Sequence, residues 1–331
     1  MTDYLSPELL GIPFDQYQRY RLVAEVLDRL RTAGEKFLLL EVGGHPGLSR
    51  KFLEDDQVIV ADMLSAGHSL DMIAGAEALP FPDRSFSAVL AVDVLEHIVP
   101  EERKQALAEM ARISQDLLLL AAPFAYGLAR SAEKMVFDFI KEWLGYEHKY
   151  LKEHLTHPAP DLVETESELV SLGFDTVVIP NGQIERWLLM MLGYYYFDGI
   201  PSAIELRREL TSFYNRNFFW SDLAEPAYRH LLVCTRQRLR QKPGALEDIL
   251  SRKQQYPEPD YERFRLWLQL FMQGETRRLL EIKDDLESRL AEKELALSHQ
   301  QKYITELENF NNRVKANIFY KIYRALFKGR Q

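Results

Sequence analysis

The segment Phe37 to Gly47, FLLLEVGGHPG, constrains the fold more than any other stretch of the chain. A short unbroken apolar run that ends in an acid and a glycine loop is the pattern of a strand covered on both faces by helices. Glycines at its end let the backbone turn tightly and approach a ligand where side chains would collide, with the following helix presenting its N-terminal amides. Similar apolar runs follow at 58–61, 88–92 and 117–122, separated by helical patterns, and weaker ones at 176–179 and 231–235. Ahead of them, Tyr17, Tyr20, Val23, Val26, Leu27 and Leu30 recur at intervals of three and four, which predicts an amphipathic helix over Asp15–Arg31. Strands alternating with helices imply right-handed crossovers and a mainly parallel sheet. The expected architecture is therefore α/β, a Rossmann-like doubly wound sheet. The aromatic, helical stretches 124–173 and 180–229 read as insertions capping one edge of that sheet.

Composition narrows the function classes. A formal charge of −9 excludes a general nucleic-acid surface, which needs clustered Lys and Arg. The one cysteine, Cys234, forms no internal disulfide and reads as a buried, reduced thiol. The N-terminus lacks a basic start and an apolar run, and no apolar segment reaches the roughly 20 residues of a membrane span, so a cytoplasmic protein is expected.

Chemistry is expected first at the glycine loop. Fifteen residues after Gly47, Asp62 closes the run VIVAD, where a carboxylate can accept both hydroxyls of a ribose. A dehydrogenase would place an acid there too. Four landmarks in order then resemble the class I S-adenosylmethionine-dependent methyltransferases of the type 11 branch. Glu41, Gly43 and Gly47 resemble the family's acid-x-Gly-x-Gly-x-Gly loop, and Asp62 its ribose-binding acid. ALPFPDRSFSAVL (Ala78–Leu90) and VDVLEHI (Val92–Ile98) resemble the segments before and after its fourth strand. The resemblance implies S-adenosylmethionine as cofactor. It puts Glu41 near the amino-acid end of that cofactor, Gly43 and Gly44 beneath it, Asp62 on the ribose and Ala76 and Glu77 at the adenine, with Gly47 and Asp93 also among the cofactor-binding residues. Two positions depart from the family: His45 replaces the middle glycine, and Gly75 replaces a frequent Asp that bonds the adenine amine.

Methyl transfer from a sulfonium needs alignment of donor and acceptor and exclusion of water, and a hydroxyl acceptor needs a base as well. His97 is one candidate, and His148 and His154 in EHKYLKEHLTHP are others. The spacing of His148, His154 and His157 invites a metal reading, but no carboxylate partner or known motif accompanies them, so no metal is expected. The ten aromatics of 187–220 read as core packing more than as a sugar-stacking surface. HKYLKEH, ELVSLGF and PNGQIERWLLMM resemble, more loosely, insertions of methyltransferases that accompany bacterial surface-glycan synthesis. That resemblance implies a sugar or glycan hydroxyl, or a sugar phosphate, as acceptor. A small-molecule or lipid methyltransferase and a non-catalytic scaffold are the alternatives.

The expected organisation is a methyltransferase domain over 1–241, a helical linker over 242–274, a long helix or coiled coil over 275–312 and a basic amphipathic helix over 313–331. Leu279, Ile282, Leu286, Leu290, Leu297, Ile304 and Leu307 follow heptad-like spacing, interrupted by Lys293 and Gln300 in one register, which points to self-association. Beyond Asn309 there are six cationic residues and no acid, with an apolar helix face suited to an anionic membrane surface.

Overall fold

The computed structural model describes residues 3–63, 70–125, 127–255 and 261–327. Seven strands form one sheet: β1 (Leu38–Val42), β2 (Gln57–Asp62), β3 (Met72–Ile73), β4 (Phe86–Val92), β5 (Ser114–Ala122), β6 (Asp175–Gln183) and β7 (Ala227–Thr235). Their order across the sheet is β3-β2-β1-β4-β5-β7-β6. Strands β1 to β5 are parallel, and β7 runs antiparallel to both of its neighbours. The order reverses between β1 and β4, so a crevice opens at their carboxyl ends, the place where open α/β sheets bind ligands.

The apolar runs become strands because each has a helix to bury against on either face. On one face Phe37, Leu39, Leu90, Leu117 and Leu119 pack with Tyr17, Val23, Val26, Leu27 and Leu30. On the other, Leu40, Val89, Ala91, Leu118 and Leu120 pack with Leu107, Met110 and Ile113. Alternate residues of one strand thus feed two separate cores. Helix α1 (Pro7–Leu10) leads into α2 (Phe14–Leu30), and α3 (Pro100–Ile113) links β4 to β5. Cys234 lies wholly buried on β7 as a free thiol.

Two features differ from the sequence reading. No regular helix follows the glycine loop: a four-residue 3-10 turn, Leu48–Lys51, stands in its place before β2 begins at Gln57. Strand β3 was not foreseen, because two residues pairing with Ala61 and Asp62 leave no hydrophobic period to read. The insertions are helical as expected. The first holds α4 (Gly127–Leu144), α5 (Lys149–Thr156) and α6 (Leu162–Ser171); the second holds α7 (Ile184–Asp198) and α8 (Ile204–Asn217). Helix α7 packs between α4 and α8, and α8 closes on α1 and α2. Most aromatics of the second insertion are core: Trp187, Tyr196, Phe197, Tyr214, Phe218 and Phe219 are buried.

The compact unit runs to Arg265. After α9 (Arg238–Gln241) comes α10 (Glu247–Gln255), whose Ile249 is buried in the α2-side core and whose Asp248 accepts from Arg29 Nε at 2.7 Å. Residues expected to be linker therefore complete the core. The second unit, Leu266–Gln331, holds most of α11 (Tyr261–Ala316) and all of α12 (Ile318–Phe327) among its described residues. Ile282, Leu286, Leu290, Leu297, Ile304 and Leu307 are exposed along α11. The stretch YPEPD (256–260), whose two prolines are expected to interrupt any helix, lies outside the described residues.

Candidate active site

The sequence after β1 folds as a turn because of its glycines. Gly43 has φ +69°, and a β-carbon there would come 2.5 Å from Val94 Cγ2. A β-carbon on Gly44 would intrude on the carboxyl group of Glu41. Glu41 itself, the last acid of β1, is fully buried; Ser49 Oγ donates to one of its oxygens, and the other has no partner among the described residues. Burial pushes its carboxyl up to about 7, against the pull of Ser49, Tyr20 and Arg19. Gly47 caps the 3-10 turn. Asp62 stands half-buried at the carboxyl end of β2 and accepts the backbone N–H of His45 at 3.1 Å, which ties the loop to that strand.

Ala76 is buried and Glu77 half-buried just beyond β3. The Glu77 carboxylate folds back over Gly75, into the space a β-carbon at 75 would fill. The departure at 75 therefore has a local counterpart: an acid two residues on occupies the room that a side chain at 75 would need.

At the end of β4, Asp93 takes the left-handed conformation with φ 55°. Its Oδ1 accepts from Arg229 Nε at 2.5 Å, and its Oδ2 from Arg229 Nη2 and from Arg19. Arg229, on β7, also reaches Asp15 at 3.2 Å. Two guanidinium groups hold the Asp93 carboxyl well below its usual range, outweighing its burial. Asp93 thus joins α2, β4 and β7, and its oxygens already carry charge-assisted bonds.

The turn after β4 carries Glu96 and His97, and α5 brings His154 against them. His97 Nε2 and His154 Nε2 face each other at 3.2 Å. The outer nitrogens have carboxylate partners: His97 Nδ1 to Glu153 at 3.1 Å, and His154 Nδ1 to Glu133 at 2.7 Å. Tyr228 hydroxyl donates to the same Glu133 oxygen at 2.9 Å. Glu96 is 2% exposed, and neither of its carboxylate oxygens has a hydrogen-bond partner among the described residues. Burial, with Asp93 nearby, pushes its carboxyl up to about 8. Burial and the neighbouring His154 hold His97 low; burial lowers His154 too, but its bond to Glu133 and the charge of Glu96 outweigh that and lift it. A cavity of about 320 Å³ opens beside the cluster, lined by Glu96, Phe124, Arg130, Glu133, His154 and His157 among others.

The structure thus unites His97 and His154, which lie far apart in sequence. It places His148 elsewhere in role, as the N-cap of α5, its Nδ1 accepting from Leu151 N–H at 3.4 Å. Glu133, Glu153 and Tyr228 escaped the sequence reading, since only the packing of α4, α5 and β7 brings them to the imidazoles.

The residues present fit S-adenosylmethionine: an unpartnered buried carboxylate oxygen on Glu41, the tight glycine turn beside it, and a half-exposed acid on β2 line the sheet's switch point. A family model described as a methyltransferase domain matches residues 52–116, from just after the 3-10 turn through β2 and β4 into β5. Among solved structures, the chain is similar to the YcgJ protein of Bacillus subtilis, with 16% identity over 66% of this chain and 97% of that one, at a TM-score of 0.37. It is also similar to an S-adenosylmethionine-dependent methyltransferase of Thermotoga maritima, with 16% identity over 67% of this chain and 95% of that one, at a TM-score of 0.40. No curated protein matches the sequence. Residues 52–116 match a methyltransferase domain, as found in enzymes whose cofactor is S-adenosylmethionine.

Proposed function

We propose that this enzyme methylates a hydroxyl of an acceptor held in the cavity beside Glu96 and His154. The observation that carries the reading is the paired imidazoles of His97 and His154, placed just after β4, next to the switch point of the sheet. S-adenosylmethionine supplies an electrophilic methyl group when bound. Glu41 would meet its amino-acid end, Gly43, Gly44 and Gly47 would let the backbone approach it, Asp62 would hold the ribose, and Ala76 and Glu77 would frame the adenine. Asp93, gripped by Arg19 and Arg229, fixes the turn that carries His97. The His97–His154 cluster is the end at which the acceptor hydroxyl gives up its proton.

We assign the acceptor to the sugars, as a hydroxyl of a surface glycan or its lipid-linked precursor. The support is the loose resemblance of HKYLKEH and PNGQIERWLLMM, which form the start of α5, bearing His154, and the β6–α7 junction. Exposed apolar positions on α11 support self-association as a coiled coil, and α12 supports attachment to an anionic membrane face. Calorimetric titration with S-adenosylmethionine tests the enzyme reading: wild-type chain binds, and Asp62→Ala binds more weakly. No heat with the folded wild-type chain would leave a scaffold as the reading. Transfer of labelled methyl to nucleotide-linked or lipid-linked sugars, against small-molecule alcohols, tests the acceptor class.

A further inference from the structure

We propose that Glu96, His97 and His154 form a binding site for one divalent transition-metal ion, such as zinc, with an open coordination position facing the cavity. One ligand atom from each of the three residues lies within 4.8 Å of the others. Two histidines and one carboxylate with room for a further ligand is the donor set of many catalytic zinc and non-haem iron sites.

The hydrogen bonds around the imidazoles point the same way. Each Nδ1 is paired with a carboxylate, Glu153 for His97 and Glu133 for His154, and Tyr228 holds Glu133 in turn. With the protons on Nδ1, both Nε2 atoms present lone pairs to each other at 3.2 Å. That arrangement is repulsive unless a proton or a metal ion lies between them. At about 2.0–2.1 Å from a zinc ion, two nitrogens 3.2 Å apart subtend roughly 100° at the metal, inside the range of a tetrahedral or five-coordinate centre. Carboxylates on the outer nitrogens of ligating histidines are the usual device for fixing tautomer and ring orientation.

Glu96 supplies the independent observation. It is a buried acid whose two oxygens have no hydrogen-bond partner among the described residues, and it lies against a histidine pair. A buried carboxylate without a hydrogen bond is costly to keep, and a coordinated cation removes that cost. The third side of the cluster meets the cavity lined by Phe124, Glu133 and His157, so an acceptor oxygen can complete the coordination. A Lewis acid there lowers the pKa of a bound hydroxyl. This last role rests on the hydroxyl-methylation reading; the ion site itself does not.

The test uses the full-length chain, stripped with chelator and titrated with Co²⁺ alone. The expected result is one ion per chain, with visible absorption of a four- or five-coordinate centre that Zn²⁺ abolishes by competition. His97→Gln and His154→Gln should each lose at least 100-fold in affinity, and His148→Gln, outside the cluster, should bind as wild type. If the two histidine variants fail to fold by circular dichroism, Glu153→Gln decides. Its side chain is partly exposed, and losing this partner of His97 should weaken binding by about 10- to 100-fold. Absence of stoichiometric Co²⁺ binding by folded wild-type chain overturns the proposal and leaves a proton-sharing histidine pair. So does unchanged affinity in folded His97→Gln and His154→Gln, or in Glu153→Gln where it decides. Calorimetry with S-adenosylmethionine on the same stripped protein separates this outcome from failure of the methyltransferase reading.

Discussion

Arg229, on the antiparallel strand β7, clasps both carboxylate oxygens of Asp93, at the end of β4, with Nε and Nη2 each at 2.5 Å. The clasp spans β5, which separates the two strands in the sheet, and it lies against Arg19 of α2 and Asp15. Arg229 is 1% exposed, so removal of either partner strands a charge away from water. Arg229→Met should therefore cost about 3–5 kcal/mol in a denaturant melt, and Asp93→Asn should cost a smaller share, since its amide oxygen still accepts. A loss below about 1 kcal/mol in Arg229→Met would mean that the network relaxes onto water.

Glu41 makes a pH-dependent prediction with a definite sign. Burial raises its folded-state pKa to about 7, above the unfolded carboxyl value, so the native state keeps a proton that the unfolded chain has released. The stability this group contributes is full below about pH 4.5 and is lost as pH rises through about 7. Glu41→Gln should thus stabilise the chain at pH 8 by about 1–3 kcal/mol and leave it nearly unchanged at pH 4, while weakening S-adenosylmethionine binding. Thermal melts at the two pH values, with calorimetry on the same samples, check both halves.

The reciprocal packing of Gly75 and Glu77 predicts a rescue. Glu77→Ala should reduce affinity for S-adenosylmethionine by roughly 10- to 100-fold, the worth of a hydrogen bond to a charged group. Adding Gly75→Asp to that variant should recover affinity, because the room once filled by Glu77 is now free. Gly75→Asp alone should bind poorly, its carboxylate colliding with Glu77. Equal affinity in all three would take Glu77 out of the adenine site.

Helix α12 offers Phe319, Ile322, Tyr323 and Leu326 to solvent beside Lys321 and Arg324, with no acid in its length. The full chain should co-sediment with anionic vesicles and not with neutral ones, and a chain ending at Asn309 should stay in the supernatant. Salt should weaken the pelleting, as expected for basic residues near a charged surface. Equal pelleting of both chains would assign α12 another partner.

How much of this was legible in the sequence follows from the range of the forces involved. Hydrophobic period, glycine punctuation and strand-terminal acids act within a few residues, so Phe37–Val42 as a buried strand, Glu41 and Asp62 at strand ends, a helix over Asp15–Arg31 (observed at Phe14–Leu30) and the helical insertions could be read directly. Strand β3 could not, since two residues carry no period, and the helix after the glycine loop proved to be a 3-10 turn. The site at the imidazoles was half visible. His97 and His154 drew notice as separate candidates, yet their meeting at 3.2 Å depends on α5 folding back against the turn after β4, a contact between residues 57 positions apart. Asp93 shows the same limit. Its place at the end of β4 is a local fact, whereas its two arginines come from α2 and β7, and only the assembled sheet could bring those charges to one half-buried carboxylate.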